Sequence, residues 1–311
     1  MKITVLAGGV GAARFLEGLI AVVSQEDVTV VSNVGDDEEF FGLQVSPDID
    51  IVIYTLAGAI DPEKGWGLRG ETFRTLEALG RFGYETWFNL GDGDMATHVH
   101  RTQMLRGGAT LSEATRSIVD AFGLRLRLLP VSDDRIRTMV ETDGGELAFQ
   151  EYFVKRRTED VVRGVRFDGA DAATAAPGVI EALREADVIA IAPSNPVVSI
   201  GPILAVPGVR EALRDTPAKV VAVSPIVGGK TIKGPADRMM ASLGMTPTAA
   251  GVAEAYRDFL DVLVIDEQDR ELAPAVEAAG VRAVVAQTIM RGPAEKRALA
   301  EAVIAAAATA D

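Results

Sequence analysis

Short apolar runs rich in β-branched residues alternate along this chain with longer stretches of helical period, and no other feature restricts its fold as strongly. Strand-like runs lie at Ile3 to Leu6, Val28 to Ser32, Val188 to Ala192, Val220 to Val223, Val262 to Ile265 and Ala283 to Ala286. Helical stretches fill the gaps at Ala12 to Val23, Thr72 to Leu79, Met95 to Leu105, Ser112 to Phe122, Pro177 to Glu185, Ala236 to Leu243 and Pro293 to Ala307. This alternation predicts an α/β fold, a doubly wound Rossmann-like parallel sheet covered by helices. The alanine-rich tail from Ala298 to Ala308 suits a closing helix.

The middle of the chain breaks the rhythm. Leu124 to Leu129, Thr138 to Thr142 and Leu147 to Phe153 are strand-like, and Asp143-Gly144-Gly145 is a turn signal joining the last two as a hairpin. An inserted mixed α/β subdomain containing an antiparallel hairpin is therefore expected over residues 110–175. Residues 1–109 and 176–311 would form the nucleotide-binding core, with the Gly/Ala/Asp-rich stretch Asp168 to Pro177 as the exit linker.

Composition narrows the chemistry. With no cysteine, thiolate ligands, disulfides and a cysteine nucleophile are excluded, and His98 and His100, the two histidines, cannot build a multi-histidine zinc site. Any metal should be a hard cation such as Mg2+, held by carboxylates and phosphate oxygens. A formal net charge of -14 argues against nucleic acid, which needs a basic face. The chain opens directly on the strand-like Lys2 to Leu6 with no signal-like segment, and no apolar span approaches the ~18 residues of a membrane helix. A cytoplasmic protein without membrane contact is expected.

Four segments carry chemistry. Ala7-Gly8-Gly9-Val10-Gly11-Ala12-Ala13-Arg14 follows the first strand and opens the first helix. Glycines there permit a tight turn and bring N–H groups and the helix N-terminus to a phosphate, and Arg14 can add a guanidinium; a bare βα turn is the other reading. The segment is neither a Walker loop nor the spaced dinucleotide fingerprint. Asn33 to Glu39, with Asp36, and Ser46-Pro47-Asp48-Ile49-Asp50 place a carboxylate cluster after the second strand, where ligands of open α/β sheets bind. Ser46-Pro47 also reads as a helix cap with proline at the first position, which leaves Asp48 and Asp50 available for Mg2+.

Asn89-Leu90-Gly91-Asp92-Gly93-Asp94 is a third loop that must bend close to something, with capping by Asp94 as the plainer account. His98 beyond it reads as a structural histidine or a proton shuttle. Pro193 to Pro202 fixes its backbone with three prolines and offers Ser194, Asn195 and Ser199 for a base or a second phosphate. The turn Ser224-Pro225-Ile226-Val227-Gly228-Gly229-Lys230 presents Lys230 as a spare cation for an anionic ligand.

Taken over the whole chain, these residues resemble the 2-phospho-L-lactate transferase family (CofD/FbiA) of coenzyme F-420 biosynthesis. The telling segments are Gly8 to Leu16, Ser46 to Asp50, Leu90-Gly91-Asp92, Ser224-Pro225-Ile226 and above all Pro193 to Pro202. The resemblance implies a transferase in which the terminal ribityl hydroxyl of the deazaflavin Fo attacks a guanosine diphosphate conjugate (LPPG or EPPG). A phospholactyl or phosphoenolpyruvyl group moves, GMP leaves, and F-420-0 or dehydro-F-420-0 forms. It further implies metal- and deazaflavin-binding positions at Asp36, Asp48 and Asp50, Asn89 beside the deazaflavin, and guanosine contacts at Gly8, Gly9, Gly11, Ser194, Asn195 and Ser199. Archaeal members tend to have Thr-Gly-Thr-Pro-Lys where this chain has Val10-Gly11-Ala12-Ala13-Arg14, a departure that leans towards the phosphoenolpyruvate donor. Many relatives carry a basic residue at the position of Gly93.

Transfer of a phosphate-linked group asks mainly for alignment and charge neutralisation, which an acidic chain would meet with Mg2+. Asp48 or Asp50 is the candidate catalytic acceptor of the hydroxyl proton. The rival reading is a non-catalytic, YvcK-like regulatory protein that binds nucleotide sugars, and plain nucleotide hydrolysis is a third. A homodimer is expected, the inserted hairpin offering an edge or face to a partner.

Overall fold

The chain is described over residues 1–308 by a computed structural model. Strand β1 (Ile3–Ala7), buried at every position, turns through Gly8 into helix α1 (Gly9–Leu19). Then come β2 (Val28–Ser32), the short antiparallel pair β3 (Glu38–Phe40) and β4 (Leu43–Val45), and helix α2 (Pro47–Leu56). Helices α3 (Arg74–Arg81), α4 (Asp94–Arg106) and α5 (Leu111–Ala121) lead to β5 (Arg127–Pro130). Strands β6 (Arg137–Thr142), β7 (Gly145–Ala148) and β8 (Val162–Asp168) form a separate antiparallel sheet in the order β7-β6-β8.

Parallel winding then resumes. Helix α6 (Val179–Glu185) precedes β9 (Val188–Ile191), and α7 (Gly201–Ala205) and α8 (Val209–Asp215) precede β10 (Lys219–Val223). The hairpin β11 (Ile226–Val227) and β12 (Lys230–Thr231) is followed by α9 (Ala236–Ser242) and α10 (Ala249–Tyr256). The last elements are β13 (Val262–Asp266), α11 (Ala273–Ala278), β14 (Arg282–Ala286) and α12 (Pro293–Ala308).

The main sheet has seven strands, ordered β14-β13-β10-β9-β1-β2-β5, and every neighbouring pair is parallel. The expected Rossmann-like sheet is thus present. One strand is corrected: the Leu124 to Leu129 run, expected among the antiparallel strands, provides β5, which extends the parallel sheet beside β2. The Asp143-Gly144 turn does join two strands, pairing Thr142 with Gly145. The Leu147 to Phe153 run, however, leaves the strand after Ala148 and coils into a π-helical turn over Glu151–Lys155, which buries Tyr152. The third antiparallel strand, β8, was not expected, while α2 opens at Pro47 as the Ser46-Pro47 cap signal suggests. Among the described residues no helix is long and apolar enough to cross a membrane.

Two helices on one face set the spacing around the central strands. At Gly18 in α1 an added Cβ would lie 2.2 Å from the carbonyl oxygen of Lys296 in α12, so only glycine lets the two backbones touch. Gly18→Ala forces them apart, and overpacking of this kind is expected to lower stability by roughly 1–3 kcal/mol. A lower urea midpoint at unchanged slope would show it, and an unchanged midpoint would contradict the contact.

Candidate functional site

In an open parallel sheet a crevice forms where the order of winding reverses, because loops leaving adjacent strands diverge there. From β1 the chain winds outward through β2 to β5, then returns to β9 on the other side of β1 and winds away to β14. The reversal falls between β1 and β9, so the Gly8 turn and the Pro193 to Pro202 segment face each other across it. The Ser194 hydroxyl donates to the Gly8 carbonyl at 2.8 Å, and the Gly8 N–H points back at Ser194 Oγ at 3.4 Å. Gly11 lies so close to Pro193 that an added Cβ would sit 2.2 Å from its carbonyl oxygen.

Helix α2 brings the third wall. At Gly8 an added Cβ would stand 2.8 Å from Ser199 Cβ and 2.9 Å from Asp48 Oδ2, so three distant segments meet at a point with no room for a side chain. Gly9, at φ +75°, donates its N–H to Asp48 Oδ1 at 2.8 Å. Asp48 Oδ2 accepts from the Asn33 side-chain amide at 2.8 Å. Asn33 is fully buried, reaches the Val198 carbonyl at 3.3 Å and accepts from the Gly35 N–H at 2.8 Å. It ties the end of β2 to α2 and to the proline-rich turn, a role sequence reading did not assign to it. The glycine turn is therefore not a free cradle: the Gly9 N–H serves Asp48, which leaves the later N–H groups at the open end of α1 for an anion.

Asp36 joins this group from the loop after β2. Burial, then the neighbouring Asp48, then Asp37 push its carboxyl well above the ordinary range, and its Oδ1 is buried without a hydrogen-bond partner. Burial likewise pushes Asp48 up to about 6, against the Asn33 and Gly9 hydrogen bonds. A second carboxylate beside an orphaned buried oxygen is a donor set that a cation would complete. Among the described residues no three His, Asp or Glu side chains gather as a metal site. Asp36 and Asp48 are the carboxylates that could hold a hard cation there, with phosphate and water completing its shell.

Asp50 is turned elsewhere. Residues two apart on a helix do not share a face, and the Asp50 carboxylate is gripped at both oxygens by the buried Arg101 guanidinium, with Nη1 at 3.1 Å from Oδ2. His98, also buried, lies 3.7 Å from Asp50 and 3.2 Å from Asp94. Tyr54 donates to Asp94 at 2.5 Å. The Ser46 hydroxyl, expected as a cap, donates to Asp37 at 2.6 Å, although Pro47 does open α2.

The loop from Asn89 to Asp94 bends close to Glu71. A Cβ at Gly91 would fall 1.9 Å from Glu71 Cγ, and the Glu71 carboxylate accepts from the N–H groups of Gly93 (2.6 Å) and Asp94 (3.0 Å) at the start of α4. Asp92 returns the favour at the start of α3, accepting from Thr72, Arg74 and Thr75. Capping is thus done by Glu71 and Asp92 across the two segments, not by Asp94. Asn89 is exposed beside the stacked Phe40 and Phe88 rings, 3.9 Å apart, and Trp87.

The remaining candidates divide. Asn195 uses its side chain inside its own turn, accepting from Val197 at 2.9 Å and Val198 at 3.4 Å. Ser199 packs on Gly8. Arg14 is exposed on α1. Partial burial, and after it the Arg14 charge, hold the Lys233 ammonium below its usual range. Lys233 donates to the Lys64 carbonyl at 3.2 Å. Lys230 stands exposed on the β11–β12 hairpin, with no side-chain hydrogen bond among the described residues. Lys233 is a cation that sequence reading passed over.

A Rossmann-like parallel sheet with its polar groups gathered at the switch point places the chain among α/β proteins that bind a small molecule at the carboxyl ends of their strands. The chain belongs to the 2-phospho-L-lactate transferase CofD family, which matches residues 3–306. It is 49% identical over 288 residues to a phosphoenolpyruvate transferase of Streptomyces griseus, covering 91% of each chain. It is 42% identical over 300 residues to a 2-phospho-L-lactate transferase of Methanosarcina acetivorans, covering 96% of this chain and 97% of that one. A solved structure of a UPF0052 family protein from Bacillus halodurans shares the fold, with a TM-score of 0.64, 17% identity, and coverage of 97% of this chain and 98% of that one. The protein is a CofD-like transferase of coenzyme F-420 biosynthesis, and the regulatory reading is not favoured.

The charge balance of the crevice is testable without substrate. Because its folded carboxyl is raised, Asp36 destabilises the fold when ionised and ceases to do so as pH falls and it takes up a proton. Asp36→Asn is expected to raise stability at pH 8 in the presence of chelator by roughly 1–3 kcal/mol, the scale of an unsatisfied buried polar group. The gain should shrink as the pH is lowered; a loss of stability at pH 8 would refute the assignment.

Proposed function

We propose that this transferase moves a phosphoenolpyruvyl group from a guanosine diphosphate conjugate to the terminal hydroxyl of the deazaflavin Fo. The convergence of Gly9, Asp48 and Asn33 with Asp36 at the switch point is the observation that carries this reading. Identity near one half to enzymes named phosphoenolpyruvate transferase, together with Val10-Gly11-Ala12-Ala13-Arg14, supports that donor over the phospholactyl one.

In this reading the N–H groups at the open end of α1, with Arg14 and Lys233, take the diphosphate. Ser194, Asn195 and Ser199 shape the guanosine side, and Lys230 lies on the neighbouring turn. Mg2+ held by Asp36 and Asp48 would supply charge neutralisation at the phosphate oxygens. The flat acceptor lies against the Phe40, Trp87 and Phe88 rings beside Asn89, and Trp66, partly exposed, is a further surface for it. The hydroxyl oxygen bonds to the phosphorus bearing the three-carbon acid, the bond from that phosphorus to GMP breaks, and GMP departs with its charge. Asp48, held at the glycine turn, is the candidate acceptor of the released proton. The homodimer belongs to the same proposal, with the edges of the β7-β6-β8 sheet as its surface.

Incubation with Fo and each candidate conjugate, followed by mass spectrometry, tests this directly. The phosphoenolpyruvyl diester of Fo should form with stoichiometric GMP, stop with chelator and resume with Mg2+. GMP release without Fo would indicate a hydrolase instead.

A further inference from the structure

We propose that Arg101 is a positioning residue of this transfer, acting through Asp50 to hold Asp48 against the glycine turn. The proposal rests on the reading above for what Asp48 does, but the geometry stands by itself.

Arg101 is fully buried, one of the largest side chains in the protein to be so. A guanidinium cannot shed its charge, so its presence inside the fold requires fixed partners. It has them: Nη1 and Nη2 fork onto the two oxygens of Asp50, and Nη1 also approaches the Gln44 carbonyl and His98 Nδ1, each at 3.3 Å. The fork joins α4 to the first turn of α2. His98 and Asp94, one and two turns earlier on α4, continue the connection to Tyr54 at the far end of α2, where the hydroxyl donates to Asp94. Helix α2 is thereby pinned along its length to α4 by polar contacts on the face that carries Asp50.

Asp48 lies on a different face of the same turn, against Gly9 and Asn33. The first turn of α2 is therefore held from two sides, by Arg101 on Asp50 and by the glycine turn on Asp48. Releasing the Arg101 side lets the helix end shift, and the Asp48 carboxylate shifts with it. Asp50, with both oxygens engaged by Arg101, is a strut in this arrangement.

The test is a mutant cycle on turnover and on GDP affinity with Asp50→Asn, Arg101→Gln and the double variant, each confirmed folded by circular dichroism. Either single change leaves a buried charge alone and is expected to lower kcat about tenfold to a hundredfold, the scale of a small misalignment, with GDP affinity nearly unchanged. The double variant replaces the ion pair by a neutral amide pair and should lose no more than the worse single change. Arg101→Lys keeps charge without the fork and should fall between wild type and Arg101→Gln. Losses that multiply, or Arg101→Gln turning over like wild type, overturn the proposal. An inactive wild type would instead count against the proposed reaction. Mn2+ affinity measured by electron paramagnetic resonance then reads the position of Asp48 without turnover: Arg101→Gln should weaken it about tenfold, and unchanged affinity overturns the proposal.

Discussion

The crevice of this protein depends on the close approach of Gly8 to Asp48 and Ser199. With no Cβ in the way, the end of β1, the first turn of α2 and the proline-rich turn after β9 can share one point, and each contributes a polar group to it. The parallel sheet supplies the rigidity: β1 is buried at every position and flanked by parallel partners on both sides. Polar groups held by such a frame keep their mutual geometry without relying on loop packing.

Charge makes the same crevice unfavourable for the fold alone. Burial raises the proton affinity of both Asp36 and Asp48, and the Asp48 charge adds to it at Asp36, in a chain whose formal net charge is already -14. Stability is yielded there, a pattern common where function and folding compete. The neighbouring carboxylates differ in their support: Asp37 accepts the Ser46 hydroxyl, yet burial raises its carboxyl well above the ordinary range and its Oδ1 is without a partner, whereas Asp50 is held by Arg101.

Much of this was legible in the sequence. The buried runs of β1, β2, β9, β10 and β13 are clear because strands covered on both faces are nearly continuously apolar, and the half-buried edge strand β14 keeps enough of that pattern to be read. β5 was misplaced, since its local pattern says strand but not which sheet. The Leu147 to Phe153 run misled because Phe149 and Tyr152 are apolar for packing at a helical turn, where alternation is no guide. At the site, the glycine turn and Asp48 were legible from their places after strands. The direction of Asp50 follows from helical geometry once α2 is recognised. The crossed caps of Glu71 and Asp92, and the action of the Arg14 charge on Lys233, join segments far apart in the chain and left no local signal.

A crystal structure with Mn2+ and GDP would test the central claim most directly, using the anomalous signal of the metal. The account requires the metal between Asp36 and Asp48, with the diphosphate at the open end of α1. Metal or diphosphate bound away from the β1–β9 crevice would contradict it.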